Sequence, residues 1–301
     1  MALSEWKYQT SATSKTLFAR KATPRKVSAL TLLTASTSFL VLFLPVRTTY
    51  RVAISLMLVL IASGAVGQQR DASAVAALQS TIAALGGQAA VSQITDSVAT
   101  GTTILAGNGP SRAFTWKTLG AEFRYETTIG GDFLVFVSGH GTPANAKNGA
   151  VTALPIHVSL AAPAYHNPAL LLSAEVNDRT YTLIAMGNGT LPNGQPAVHV
   201  QTISNAFPEI STVTQQDWYL DPNTQIPLRV EYCSPATDSP TDCLFSAIDY
   251  SAYQNTSGVL VPQVMALSVN GAAFSTSTIT GTAFNVGLSP SDFSLIVGGG
   301  N

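Results

Sequence analysis

Alternation with a period of two governs this chain from about Ser97 onward, and it leaves few folds open. Short runs rich in Thr, Val, Ile and aromatic residues put an apolar side chain at every second position, with Gly, Pro and Asn clusters between them. Half-buried β-strands are the expected result. The pattern predicts strands over 97–105, 113–118, 122–128, 133–138, 180–186, 197–203 and 216–220, a Cys-bearing hairpin, strands over 259–269 and 275–285, and a short one at 293–297. In 122–128, for example, Phe123 and Tyr125 alternate with Glu122, Arg124 and Glu126.

Two segments break the rhythm. In "DASAVAALQSTIAALGG" the residues Val75, Leu78, Ile82 and Leu85 recur at helical spacing, Asp71 or Ser73 is placed to cap the start, and Gly86-Gly87 supplies the stop. In "SLAAPAYHNPALLLSAE" the pair Asn167-Pro168 opens a short helix, because Leu170, Leu171 and Leu172 are too contiguous for a half-exposed strand. No fixed-period repeat and no linker divides 68–301. The expected fold is α+β, mainly β: a strongly curved antiparallel sheet with one or two helices covering its concave face.

Charge separates the front of the chain from its body. Residues 1–67 carry eight Lys and Arg against one Glu, whereas the remainder carries seven against fifteen Asp and Glu, giving +7 and −8. A body this acidic cannot neutralise a run of phosphates, which excludes nucleic acid as a partner and disfavours anionic membrane surfaces. Within the front, 29–45 and 52–67 are apolar, each shorter than the ~20 residues that span a bilayer. A hairpin of the two would place Arg47 and Arg51 opposite the basic leader, although both prefer the cytoplasmic side.

Taken alone, 46–67 has every part of a secretory signal: Arg47 and Arg51, the apolar run 52–61, and Ala65-Val66-Gly67 as a small-residue cleavage site. The expectation is therefore a doubtful upstream leader over 1–45, a signal peptide over 46–67 cleaved near Gly67, and one domain over 68–301. The mature protein would be periplasmic or secreted. The alternative is an inner-membrane anchor formed by 52–67.

Export would carry the only two cysteines, Cys233 and Cys243, into an oxidising compartment. Their flanks alternate like strands, with Ile226, Leu228, Val230 and Tyr232 on one side and Arg229 and Glu231 on the other. Strand ends that meet across a hairpin bring the two Cα atoms within disulfide range, so a Cys233–Cys243 bridge is expected. A redox or metal pair would want C-x-x-C spacing and a nearby His.

Signatures of catalysis are missing from the pattern. His140, His157, His166 and His199 form no H-x-x-x-H or H-E-x-x-H pair, so no metal site is signalled, and each reads as an exposed or singly hydrogen-bonded residue. There is no G-x-S-x-G elbow, and "GNGPSR" and "GNGTLPNG" match neither a dinucleotide fingerprint nor a P-loop. Carboxylates gather in "TDSPTDC" and at Asp217 and Asp221, where solvated loop residues are the simpler reading. No catalytic residue and no cofactor is assigned; the chain reads as a non-enzyme.

Three stretches together resemble a known family. They are "ALQSTIAALGGQAAVSQITDSVATGT", "WYLDPNTQIPLRVEY", and "IDYSAYQNTSGVLVPQVMALSVNG" followed by "TGTAFNVGLSPSDFSL". The order of helix, Gly-Gly stop, short second turn, strand, Asp-Pro-Asn-Thr turn and Tyr-rich strands resembles the LolA-like periplasmic group that sorts outer-membrane lipoproteins, with its LppX and RseB relatives. The resemblance runs from about Leu78 to Leu295 and is weakest over 139–196. It implies an incomplete β-barrel whose helices lie over an apolar concavity that holds acyl chains, and no functional residue is carried over from it.

Under that implication the candidate cavity-lining residues are the inward positions Ile226, Leu228, Val230, Val261, Met265 and Leu267, with Phe123 and Tyr125. They serve equally as the filling of a dry core. The expected function is a carrier for lipid or acylated protein. The alternative is a structural or protein-interaction module of the cell envelope that uses a sheet edge or the Thr-rich face "STSTITGT" to bind another envelope protein.

Overall fold

Among the described residues thirteen strands pair in one antiparallel sheet. The structure, a computed structural model, describes residues 69–107, 109–138, 142–161 and 165–295; the expected leader and signal peptide, His140 and 296–297 lie outside these. The strands are β1 (Asp96–Leu105), β2 (Arg112–Leu119), β3 (Glu122–Ile129), β4 (Asp132–Ser138), β5 (Ala144–Lys147), β6 (Ala150–Ala153), β7 (Tyr181–Thr190), β8 (Pro196–Ser204), β9 (Gln216–Leu220), β10 (Pro227–Ala236), β11 (Ser239–Thr256), β12 (Val259–Val269) and β13 (Ala272–Phe284). The helices are α1 (Ala72–Ala84), α2 (Gln88–Val91), α3 (Ile156–Leu160), α4 (Pro168–Asn177) and α5 (Ser211–Thr214). Their order across the sheet is β6-β5-β4-β3-β2-β1-β13-β12-β11-β10-β9-β8-β7, so β6 and β7 are free ends and the barrel does not close.

Contacts of α4 require the sheet to curve. This helix touches both β7 and β12, which stand five positions apart in the sheet. On a flat sheet they would be about 24 Å apart, twice the width of a helix. Just before α4, the His166 ring reaches Trp116 of β2, eight positions from β7, with centroids 5.1 Å apart. The expected curved sheet with helices on its concave face is what forms.

Local rules account for most of the elements. Helix α1 buries Ala74, Leu78, Thr81 and Ile82 on one stripe and ends at Gly86, whose φ of 133° suits glycine. A Cβ there would stand 2.3 Å from the Gly258 carbonyl oxygen, because the helix end is sewn to β12 by the Leu260 N–H donating to the Leu85 carbonyl at 2.8 Å. Asp71 is the N-cap residue, yet its carboxylate does not cap the helix; it accepts from the Ala185 N–H of β7 at 3.0 Å. Asn167 does cap α4, accepting from the Leu170 N–H, with Pro168 in the first turn. Among the described residues no helix is long and apolar enough to cross a membrane.

Four sequence expectations change. The nine residues between the cysteines are not a loop: β10 and β11 run on through them, Pro235 pairs with Cys243 and Ala236 with Ser239, so the turn shrinks to Thr237 and Asp238. Cys233 and Cys243 are then diagonal neighbours with Cα atoms 5.3 Å apart, and they are bonded. The described part of 293–297 is no strand, since Phe293 ends a 3-10 turn (Pro290–Phe293) whose capping box joins Ser289 and Asp292. The third change is in β10, where an irregularity between Pro227 and Arg229 breaks strict alternation, so that Pro227 and Val230, three residues apart, are both buried. Finally, β5, β6 and α3 were not anticipated; their runs of four or five residues are too short to show a period.

Candidate functional site

The concave face carries one continuous apolar cluster. Leu78, Ile82 and Leu85 at the α1 end and Ala169 and Leu172 of α4 press onto Leu183, Val200, Trp218, Val230, Ile248, Val259 and Met265, which span β7 to β12. Of the candidate lining residues, Phe123, Tyr125, Val230, Val261 and Met265 are buried in this cluster, and Ile226 and Leu267 pack on its margin. Leu228 stands apart. The irregularity before Arg229 turns it to a shallow cleft of about 190 Å³ shared with Leu191, Pro192, Asn193, Gln195, Arg229, Asp249 and Tyr250.

Cross-strand pairing concentrates aromatic rings at one end of that face. Register places Asn145, Phe136, Tyr125 and Trp116 in a single row over β5, β4, β3 and β2. Phe114 lies 4.1 Å from Trp116 between centroids, and Phe123 lies 6.2 Å from Phe136. The His166 ring covers the row, 5.8 Å from Phe123. It is buried, against the sequence expectation of an exposed or singly bonded histidine, and its Nε2 has no partner. Desolvation by this burial pushes its pKa down to about 3, so the ring is neutral.

At the other end a carboxyl group is buried in the same interior. Glu175 projects from α4 on the stripe that also holds Leu172, and it is 1% exposed. Its Oε1 accepts from Gln216 Nε2 at 2.8 Å, and Gln216 Oε1 in turn accepts from Trp218 Nε1 at 3.0 Å. Oε2 has no partner. Burial raises the Glu175 pKa to about 8, and the nearby Thr202 hydroxyl and the Gln216 amide pull it the other way. Tyrosines complete the surroundings: Tyr165 and Tyr232 stack at 4.3 Å, and the Tyr250 hydroxyl donates to the Tyr165 carbonyl at 3.0 Å. Desolvation holds the phenols of Tyr165, Tyr232 and Tyr250 protonated.

The convex face is polar and ordered by pairing. His199 Nε2 is 2.8 Å from Asp217 Oδ1, and the His199 ring stacks on Tyr219 at 4.5 Å. Asp217 also accepts from Gln201 and Gln215, at 3.0 and 2.9 Å. Alongside, Arg229 donates to Glu231 at 2.8 Å and to both oxygens of Asp249 at 2.7 and 2.8 Å. Of the carboxylates that cluster in the sequence, Asp217 is thus tied into strand pairing rather than solvated in a loop, and Asp221 Oδ1 accepts from the N–H groups of Asn223 and Thr224, holding the turn. His157 Nε2 is 2.9 Å from the Ala236 carbonyl oxygen.

No group of three or more His, Cys, Asp or Glu side chains among the described residues is placed to hold a metal ion. Alternation in the sequence pointed to the apolar cluster; it did not single out Glu175 or the buried His166. For Glu175 a signal was present, since Pro168, Leu172 and Glu175 recur at helical spacing and so share one face. His166 precedes its helix and carries no such mark.

Neither a family model nor a curated protein matches this chain. Among solved structures it is similar to a putative outer membrane lipoprotein-sorting protein domain from Vibrio parahaemolyticus, with 19% identity and a TM-score of 0.47 over 73% of this chain and 95% of that one. It is similar also to a LolA superfamily protein from Nitrosomonas europaea, with 10% identity and a TM-score of 0.46 over 73% of this chain and 96% of that one. A DUF1329 family protein from Desulfovibrio piger shares 14% identity at a TM-score of 0.42, over 73% and 96%. The first two bear the name of the group that the sequence resembles.

Proposed function

We propose that this protein is a non-catalytic periplasmic carrier that shelters an acyl chain of a lipid or lipoprotein against the concave face of its sheet. The observation that carries the reading is the continuous apolar interior that runs across the sheet from β3 to β10, lined by Phe123, Tyr125, Val230, Val261 and Met265 and covered by two helices of 13 and 10 residues. Such a surface binds by apolar burial, at about 0.8 kcal/mol per methylene, so part of one acyl chain suffices for useful affinity. A signal peptide over 46–67, cleaved near Gly67, would deliver it to the periplasm. The Cys233–Cys243 bridge suits that compartment. Its partners would be lipids, acylated proteins and other envelope proteins.

The test is purification from the native host, organic extraction and mass spectrometry of what comes off. Recovery of acyl lipid in a fixed ratio to protein is the expected outcome. Extracts free of lipid, together with no uptake of a fluorescent fatty acyl probe, would leave the envelope interaction module as the reading.

A further inference from the structure

We propose that α4 is a cover latched to the sheet by the uncharged carboxyl of Glu175, and that it lifts from the concave face when this carboxyl gives up its proton. The inference holds whatever the concave face binds. Its basis is the position of Glu175: 1% exposed, on the inward stripe of a ten-residue helix, with a single hydrogen-bond donor at Oε1 and none at Oε2. A buried carboxylate needs several donors or a cation. Here the Gln216 amide and the neighbouring Thr202 hydroxyl are the donors that favour the ionised form, and no cation joins them.

Few ionisable groups come near α4: His166, just before it, is buried and neutral. Helices α1 and α2 and strand β12 contain no titratable side chain, and β7 contributes Tyr181. Tyr165 and Tyr250 also act on this interior, each kept neutral by burial. His199, Asp217 and Tyr219 of β8 and β9 bond and stack with one another on the convex face. Arg70, which bonds to the end of the helix, spends its guanidinium on the carbonyls of Val176, Asp178 and Tyr181. No cation is among the groups that act on the Glu175 carboxyl.

The direction follows from linkage. In the closed state the carboxyl holds its proton up to about pH 8, whereas once exposed to water it returns to its ordinary value of 4.5. Closure therefore has full strength below about pH 4.5 and weakens up to tenfold per pH unit until about pH 8, where the loss levels off. The remaining ties between α4 and its neighbours are the Arg70 bond to the Val176 carbonyl and neutral pairs such as Gln88 with Ser173 at 3.1 Å.

Hydrogen–deuterium exchange of the whole protein from pH 5 to 9, corrected for intrinsic exchange, tests this. Protection of the α4 amides is expected to fall by up to tenfold per pH unit and then level near pH 8, while β11 and β12 amides hold theirs. Glu175→Gln keeps the hydrogen bond to Gln216 without an ionisable group and should show flat α4 protection; Glu175→Leu serves as a second variant should the first fold poorly. Flat α4 protection in the parent protein, the same slope in either variant, or simultaneous loss from α4 and the core strands would each overturn the latch.

Discussion

Arg70 donates from Nη2 to the carbonyl oxygen of Val176 at 2.5 Å, tying the segment just before α1 to the last turn of α4 across 106 positions of sequence. The same guanidinium donates from Nη1 to Asp178 and Tyr181 carbonyls at 2.8 and 3.1 Å. Helix C-termini leave carbonyls unpaired, and a cation there also meets the negative end of the helix dipole. The flanking backbone reinforces the link, since Leu183 N–H donates to Gln69 and Asp71 N–H donates to Leu183, covering part of the β7 edge.

Arg70→Met should therefore destabilise the fold by about 1.5–3 kcal/mol, the range for hydrogen bonds to a charged group. Urea denaturation at neutral pH measures it as a lower midpoint with an unchanged slope. Arg70→Lys, with one compact charge and no fork, should recover only part of the loss.

Removing the Cys233–Cys243 bridge by a double Ser substitution should cost about 2–3 kcal/mol in the chain-entropy account of a loop this short. Because the bridge lies near the end of the β10–β11 hairpin and Cys243 is exposed, the fold should survive. The check is a denaturation curve of the parent protein with and without a reductant, which should reproduce the variant's shift.

His166 makes stability depend on pH in the acid range. Its folded pKa, about 3, lies below the ordinary 6.5, so the unfolded chain takes up a proton first as the pH falls. Stability from this group is present in full above pH 6.5 and lost between there and about pH 3, at roughly 1.4 kcal/mol per pH unit. His166→Phe fills the space between Trp116 and Phe123 without an unpartnered nitrogen; it should raise stability at neutral pH by about 1–3 kcal/mol and flatten this limb. Calorimetric melting from pH 4 to 7 would show it, and an unchanged pH profile in the variant would refute the assignment.

Asp217 acts lower on the pH scale. Partial burial raises its pKa, but hydrogen bonds from His199, Gln215 and Gln201 outweigh that and hold it below its ordinary value of 3.8. Its contribution is present above pH 3.8 and disappears as the pH falls through the lowered value. Asp217→Asn should lower stability at pH 7 by about 1 kcal/mol and weaken the loss of stability below pH 4, read from denaturant midpoints at the two pH values.

Much of the architecture could be read before any coordinates. Strand 216–220 and strand 259–269 form with the expected ends, α1 stops at Gly86-Gly87, and Asn167-Pro168 opens α4, because alternation, helical spacing and caps are properties of neighbouring residues. The sheet with helices on its concave face followed from the same patterns, since a long antiparallel sheet must cover its apolar side.

Tertiary structure decided what those patterns do not contain. Whether Leu228 faces the interior with Val230 depended on one irregularity at Arg229, which alternation cannot register. That Glu175 and His166 lose water rather than meet it was settled by a curved sheet that brings β2, β7 and β12 to one short helix and the residues before it. Burial is a sum over partners far apart in the chain, and an ionisable side chain takes its chemistry from that sum rather than from its neighbours in sequence.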